Sequence, residues 1–89
     1  MPFVLRSKGF SDAEIGMHAG LSDTSLALAV DPRQVRILLL SDASKISPAD
    51  GVFGDPKRSS VELGQIGLKI IVDNSVRAIQ DAIRKRSAQ

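Results

Sequence analysis

Residues 59–87 decide the secondary-structure class of this chain, and they read SSVELGQIGLKIIVDNSVRAIQDAIRKRS. Ser59 or Ser60 can cap a helix, and Glu62 favours the positive end of the helix dipole in the first turn. Apolar residues then recur at steps of three and four, the period of a helix face. They are Leu63, Ile66 and Ile70, followed on a neighbouring face by Leu68, Val72, Val76, Ile79 and Ile83. The pattern predicts one long C-terminal helix.

The centre of this helix is apolar on more than one side, because Ile70, Ile71 and Val72 are consecutive. Such a helix needs cover on two faces. The sequence before it predicts only short elements to supply that cover. We therefore expect part of the core to come from another chain or from a segment that this chain lacks.

Upstream, the sequence alternates short helices with turns. Residues 11–14, Ser-Asp-Ala-Glu, fit a capping box, and Gly16 is expected to end the helical turn that it starts. A helix of about two turns is predicted from Ser22 to Val30, where Asp31-Pro32 stops it.

The next stretch is less regular. The apolar run from Ile37 to Leu40 is compatible with a strand or a helical turn, and we favour a strand or extended chain. Residues 41–56 are rich in Ser, Asp, Pro and Gly, which predicts a loop.

The composition allows one small globular domain. The chain has 89 residues, 43% hydrophobic and 25% charged, without cysteine, which agrees with a reducing cytoplasm. Its apolar N-terminal run is too short for a signal peptide or a membrane span. A net charge of +2 and the absence of Trp and Tyr argue against a nucleic-acid-binding protein. The basic run Arg84–Arg86 is better explained as the solvated, dipole-favoured end of the helix.

His18 is the one histidine of the sequence, within Gly16-Met-His-Ala-Gly20. The glycines let backbone approach a ligand closely, and an imidazole can transfer protons near neutral pH. The alternative is an ordinary packed or exposed histidine. Asp23 could orient His18 or share a proton with it, or it could stabilise the first turn of the following helix with Ser22 and Thr24.

Complete catalytic motifs are absent from the sequence. It contains no HExxH, no Glu-x-His pair and no CxxC, so the chain alone cannot assemble a metal site. Neither phosphate-binding glycine motif occurs, and Ser25 is not in a GxSxG turn. These residues do not make a self-contained enzyme.

Two stretches resemble the creatininase (creatinine amidohydrolase) family. HAGLSDTSLALAVDP, residues 18–32, is similar to the family segment in which His-Ala-Gly is followed by Glu-Thr-Ser and a helix rich in Leu and Ala. GVFGDPKRSSVELGQ, residues 51–65, resembles a later segment in which Gly-Asp-Pro leads into a helix. The two stretches occur in the family's order, so the resemblance covers most of the chain.

The resemblance implies an α/β protein with three α/β/α layers that hydrolyses non-peptide amides or cyclic amidines with Zn or Mn. Residues 1–89 would be one partial domain, its C-terminal part, mostly α-helical with loops and at most one or two short strands. His18 would be the histidine that exchanges a proton with the scissile amide nitrogen. Asp23 would replace the family's glutamate, with a reach about 1.5 Å shorter.

The family's metal ligands lie in Glu-x-His and Asn-Gly-His elements and at a further Asp, and these elements are absent here. We therefore expect a C-terminal fragment that binds no metal and is inactive alone, and that self-associates or joins a complementing chain. The alternative is a non-enzymatic interaction or oligomerisation module.

Overall fold

The computed structural model describes residues 1–40 and 47–88, and these are mostly helical. The α-helices are α1 (Pro2–Ser7), α2 (Asp12–Ile15), α3 (Leu21–Val30) and α4 (Val61–Ser87). Short 3-10 turns cover Pro32–Gln34, residues 37–40 and Pro48–Asp50. The described residues form no β-strand, and their one ladder contact is an isolated bridge between His18 and Phe53. The predicted helical character is confirmed, whereas an α/β layering is not seen in this part of the chain.

The helix starts follow the predicted capping residues. The Ser60 hydroxyl accepts a hydrogen bond from the Leu63 N–H at 3.1 Å, so Ser60 rather than Ser59 caps α4. The Ser11 hydroxyl accepts from the Glu14 N–H at 3.2 Å and caps α2. Gly16 ends α2 with a φ of 70°, as predicted. The long helix, the capped turn and the helix ending at Val30 are therefore confirmed.

The run from Ile37 to Leu40 is not extended, and the predicted strand is wrong. Residues 37–40 form a 3-10 turn, in which the Leu39 N–H donates to the Arg36 carbonyl at 2.9 Å. Leu38 is 92% exposed. An isolated strand would leave its backbone groups unpaired, whereas a local turn satisfies some of them within the segment. The loop predicted over residues 41–56 is confirmed from Ser47 onward, and residues 41–46 lie outside the described part.

The core lies where α1, α2 and the start of α3 meet the first turns of α4. Leu5, Ile15 and Leu21 are buried there, with Met1, Phe10 and Leu63 packed against them.

Helices α3 and α4 cross at small residues. A Cβ added to Gly64 would lie 1.8 Å from the Ser25 carbonyl oxygen, so the two backbones are in direct contact. Ser25 is fully buried, and its hydroxyl accepts from the Ser60 N–H at 3.2 Å. The glycine in α4 lets the helices approach closely at this point, which we call the helix crossing.

Beyond the crossing, α4 projects away from the rest of the described chain. Its aliphatic residues there are 47–60% exposed. They are Ile71, Val72, Val76, Ile79 and Ile83, and we call them the uncovered stripe. The molecule is correspondingly elongated, with principal extents of 56 × 26 × 25 Å.

Among the described residues, no helix combines the length and the apolar character needed to cross a membrane.

Candidate active-site loop

His18 lies in the loop that joins α2 to α3, with its side chain exposed. The loop is shaped by two left-handed residues, Gly16 with a φ of 70° and Ala19 with a φ of 54°. A positive φ at alanine is uncommon and persists only when surrounding contacts fix it. Gly20 and the start of α3 follow immediately. His18 is therefore presented from a tight turn between two helices.

The contact that fixes His18 comes from Phe53, 35 residues later. The Phe53 N–H donates to the His18 carbonyl at 2.8 Å, and the His18 N–H donates to the Phe53 carbonyl at 3.3 Å. The Met17 N–H donates to the same Phe53 carbonyl at 2.6 Å. The two rings meet edge to face, with centroids 5.9 Å apart and an interplanar angle of 67°. Both the backbone and the imidazole of His18 thus contact Phe53.

Three glycines make this approach possible. A Cβ on Gly16 would lie 2.1 Å from the Phe53 carbonyl oxygen, and one on Gly54 would lie 2.8 Å from the Cα atoms of both Gly16 and Gly20. A Cβ on Gly20 would lie 2.5 Å from the Ile15 carbonyl oxygen. We call the contact of Gly16, Gly20 and Gly54 the glycine junction. It docks the Gly-Asp-Pro segment onto the His18 loop.

Asp23 holds the backbone of the loop. Its Oδ2 accepts a hydrogen bond from the Ala19 N–H at 3.1 Å, and the neighbouring Thr24 hydroxyl donates to the Ala19 carbonyl at 3.2 Å. Within the described part of the chain, the Asp23 carboxylate makes no hydrogen bond to His18. These contacts join the first turn of α3 to the loop, and the role of Asp23 beside His18 stays a prediction.

An ion pair ties the two segments together beside the glycine junction. Glu14 accepts from Arg58 through both carboxylate oxygens, at 2.7 and 2.6 Å, and the guanidinium lies 4.4 Å from the centroid of the Phe10 ring. The Glu14 side chain is 12% exposed. Hydrogen bonding to Arg58 lowers the pKa of Glu14 below its ordinary value, against a smaller opposing effect of desolvation. The Asp55 N–H also donates to the Glu14 carbonyl, at 2.9 Å.

An open cleft of about 670 Å³ lies on the Asp23 side of the loop. Its walls come from the start of α3, the residues after it and the segment around Val52 and Pro56. Its polar lining residues include Asp23, Thr24, Gln34 and Arg36. The remaining lining residues, among them Val35, Leu39 and Leu40, are apolar, and His18 is not one of the lining residues.

The described residues contain no group of three or more His, Cys, Asp or Glu side chains that could hold a metal ion. The chemistry that the loop itself can offer is proton transfer by an imidazole.

Sequence reasoning identified His18 and Asp23 but missed Phe53 and the Glu14–Arg58 pair. Gly54-Asp55-Pro56 marks a turn, yet nothing in the sequence says that this turn meets residues 16–20. The sequence pattern predicts Glu14 as half of a capping box, whereas its carboxylate accepts hydrogen bonds from Arg58, 44 residues away. The signal that could have pointed to the junction is the clustering of glycines in both segments, since close backbone approach requires them.

Residues 3–79 match the creatininase model, described as creatinine amidohydrolase. No curated protein and no solved structure shows a significant match. The matched range contains the His18 loop, the Phe53 segment and most of α4. Because it spans most of the 89 residues, this chain belongs to the creatininase family.

Proposed function

We propose that this chain is the C-terminal part of a metal-dependent amidohydrolase that cleaves C–N bonds of non-peptide amides or cyclic amidines. The observation that carries the proposal is the family match over residues 3–79, within which the His-Ala-Gly loop presents an exposed His18. The match supports a hydrolase of the amidohydrolase type. The substrate class, non-peptide amides or cyclic amidines, is part of our proposal.

In this proposal His18 is the catalytic acid and base. Hydrolysis of an amide requires a proton on the leaving nitrogen, because an amide anion is a poor leaving group. An imidazolium can donate that proton from a ring nitrogen, and the imidazole that results can take up a proton in the next cycle. An exposed side chain on a turn with a fixed backbone has the access that this role requires.

Asp23 acts as a positioning residue in the same site. Its bond to the Ala19 N–H supports the loop that carries His18. Asp23 takes the place of the family's glutamate, and its shorter side chain reaches the turn from the first turn of α3.

The metal would have to be held elsewhere. In the family a divalent ion supplies an activated water, but the described residues of this chain do not fit such a site, since they lack a cluster of ligands. We therefore assign no metal-dependent step to this chain. The Zn or Mn ligands, and the strands of an α/β/α fold, would come from a complementing polypeptide, because a second copy of this chain lacks the same Glu-x-His and Asn-Gly-His elements. We place the protein in the reducing cytoplasm, in keeping with its cysteine-free sequence.

The uncovered stripe and the exposed residues 37–39 are consistent with this proposal. Exposed aliphatic faces of this extent mark surfaces that another polypeptide covers. A sheet supplied by the missing part of the domain would pack on them.

The test is reconstitution. The purified chain should contain no stoichiometric Zn or Mn and should not hydrolyse creatinine or simple cyclic amides. Mixing it with an N-terminal segment of a family member that carries Glu-x-His and Asn-Gly-His should restore hydrolysis, and His18→Gln should abolish it. The control variant is Asn74→Ala, because Asn74 is an exposed polar residue of α4 and is not part of the uncovered stripe. Tight metal or amidase activity in the chain alone would refute fragment status. Failure of His18→Gln to affect the reconstituted enzyme would refute the role of His18.

A further inference from the structure

The backbone of His18 is fixed by hydrogen bonds, but its ring is not fixed by them. The imidazole nitrogens make no hydrogen bond to any described residue, and the side chain is exposed. An exposed side chain without a partner samples several rotamers. A proton donor that does so spends part of its time directed away from the substrate.

The ring of Phe53 is the side chain that limits this motion. Its centroid lies 5.9 Å from that of the imidazole at an interplanar angle of 67°, an edge-to-face geometry that aromatic pairs favour. Phe53 itself is 47% exposed, so burial in the core does not account for its position. Its backbone is paired with His18 on both sides, through N–H and carbonyl.

The glycine junction makes the position of Phe53 precise. Gly54 follows Phe53 directly and contacts the backbone of Gly16 and Gly20, on either side of His18. Because backbone contacts backbone there, the distance between the two segments cannot adjust as it could between flexible side chains. The Phe53 Cα therefore lies in a fixed place relative to the His18 Cα, and the ring is carried from that point.

We propose that Phe53 is a positioning residue that holds the His18 imidazole in one orientation through ring contact. Its importance for catalysis rests on the proposed function of His18, whereas the ordering of the ring does not.

The experiment is NMR of the isolated chain, in which the imidazole C–H signals belong to one histidine and need no assignment between sites. The wild type should show nuclear Overhauser contacts between the two rings and His18 couplings typical of one χ1 rotamer. Phe53→Leu should remove the ring-current displacement of the imidazole signals and give rotamer-averaged couplings. Phe53→Tyr keeps the aromatic ring, so it should retain the ring-current displacement and the couplings typical of one rotamer. The matched control is Phe3→Leu, since Phe3 is 80% exposed and lies in α1.

Absence of the ring-to-ring contact in the wild type would overturn the proposal. A single rotamer that persists in Phe53→Leu, with a native amide spectrum, would overturn it too. If Phe53→Leu does not fold, the wild-type contact and its retention in Phe53→Tyr decide the matter. Neither metal nor substrate is present, so an inactive reconstituted enzyme would count against the proposed function and leave this result unaffected.

Discussion

The two halves of α4 are packed in opposite ways. In the first half, Gly64 and Gly67 are buried and Gly64 meets the backbone of Ser25. In the second half, the β-branched residues of the uncovered stripe are about half exposed. The buried positions of α4 are thus glycines, whereas the large apolar side chains of the uncovered stripe are exposed to solvent. Close helix approach decides burial in the first half, and the lack of a covering layer decides exposure in the second.

The largest expected effect is at the helix crossing. Gly64→Ala should destabilise the chain by about 3 kcal/mol, because the new Cβ meets backbone and the helices must separate. Alanine's better helix propensity, about 1 kcal/mol over glycine, offsets only part of this. Thermal unfolding should show a Tm lower by roughly 10 °C or more.

Gly67→Ala is the matched control for that prediction. It makes the same change three residues later, but its Cβ would meet the movable ends of Met1 and Leu26 at 2.8 and 2.9 Å. We expect a change in unfolding free energy within about 1 kcal/mol. Equal losses of unfolding free energy in Gly64→Ala and Gly67→Ala would contradict a special role of Gly64 in the contact between the α3 and α4 backbones.

Gly16→Ala tests the glycine junction and should cost about 2 kcal/mol more than Gly9→Ala. Both glycines have a positive φ, 70° and 94°, so both variants carry backbone strain. A Cβ on Gly9 meets nothing within 4 Å, whereas one on Gly16 meets the Phe53 carbonyl. Urea unfolding measures the difference, and the His18 signals should shift in Gly16→Ala alone. Identical unfolding curves would show that the junction is open in solution.

A smaller effect is expected from pH. The pKa of Glu14 is lowered in the folded chain, mainly by its hydrogen bond to Arg58. Its ionised form therefore adds stability above its ordinary value of 4.5, and this contribution is lost as the pH falls through the lower folded pKa. Glu14→Gln should flatten the decline in Tm below about pH 5.

Asp31→Asn provides the comparison for the pH experiment. Hydrogen bonding to Arg33 lowers the pKa of Asp31 as well, but the partners are two residues apart and can pair in the unfolded chain. We expect Asp31→Asn to change the acid decline less than Glu14→Gln does. The reverse order would indicate that the long-range pair does not form.

The smallest effect should come from the uncovered stripe. Val76→Gln should change the unfolding free energy by less than about 0.5 kcal/mol, because Val76 is 47% exposed. Leu28→Gln, at a position 4% exposed on α3, should instead cost about 3 kcal/mol or more. A large loss from Val76→Gln, or a Tm that rises with protein concentration, would show that another copy covers the stripe.

The local signals in the sequence were sufficient for α2, α3 and α4, whereas α1 (Pro2–Ser7) was not predicted. Ser11 was predicted as a cap, and Ser59 and Ser60 were the two candidates for the start of α4, because a hydroxyl before a helix accepts the first free N–H groups, and this depends on neighbours in sequence. The structure selects Ser60. The run from Ile37 to Leu40 could not be resolved, since four apolar residues fit a strand or a helical turn equally well. A strand also needs a partner, and the described part of the chain offers none.

The candidate site was predicted only in part, for a similar reason. His18 was identifiable from its type and its glycine neighbours, and Asp23 from its place near a helix start. Phe53 was not identifiable, because its role depends on a contact across 35 residues. Local pattern carries no information on which turn meets which loop.

The separation of His18 from Phe53 also has a consequence for folding and for variation in chain length. The loop that presents His18 is ordered by a long-range closure, so it should form late, with the tertiary structure rather than with α2 or α3. The entropic cost of such a closure rises only with the logarithm of its length, about 0.6 kcal/mol for each doubling. A longer chain between α3 and Phe53 should thus leave the orientation of His18 intact, whereas a single added methyl group at Gly16 or Gly54 should not.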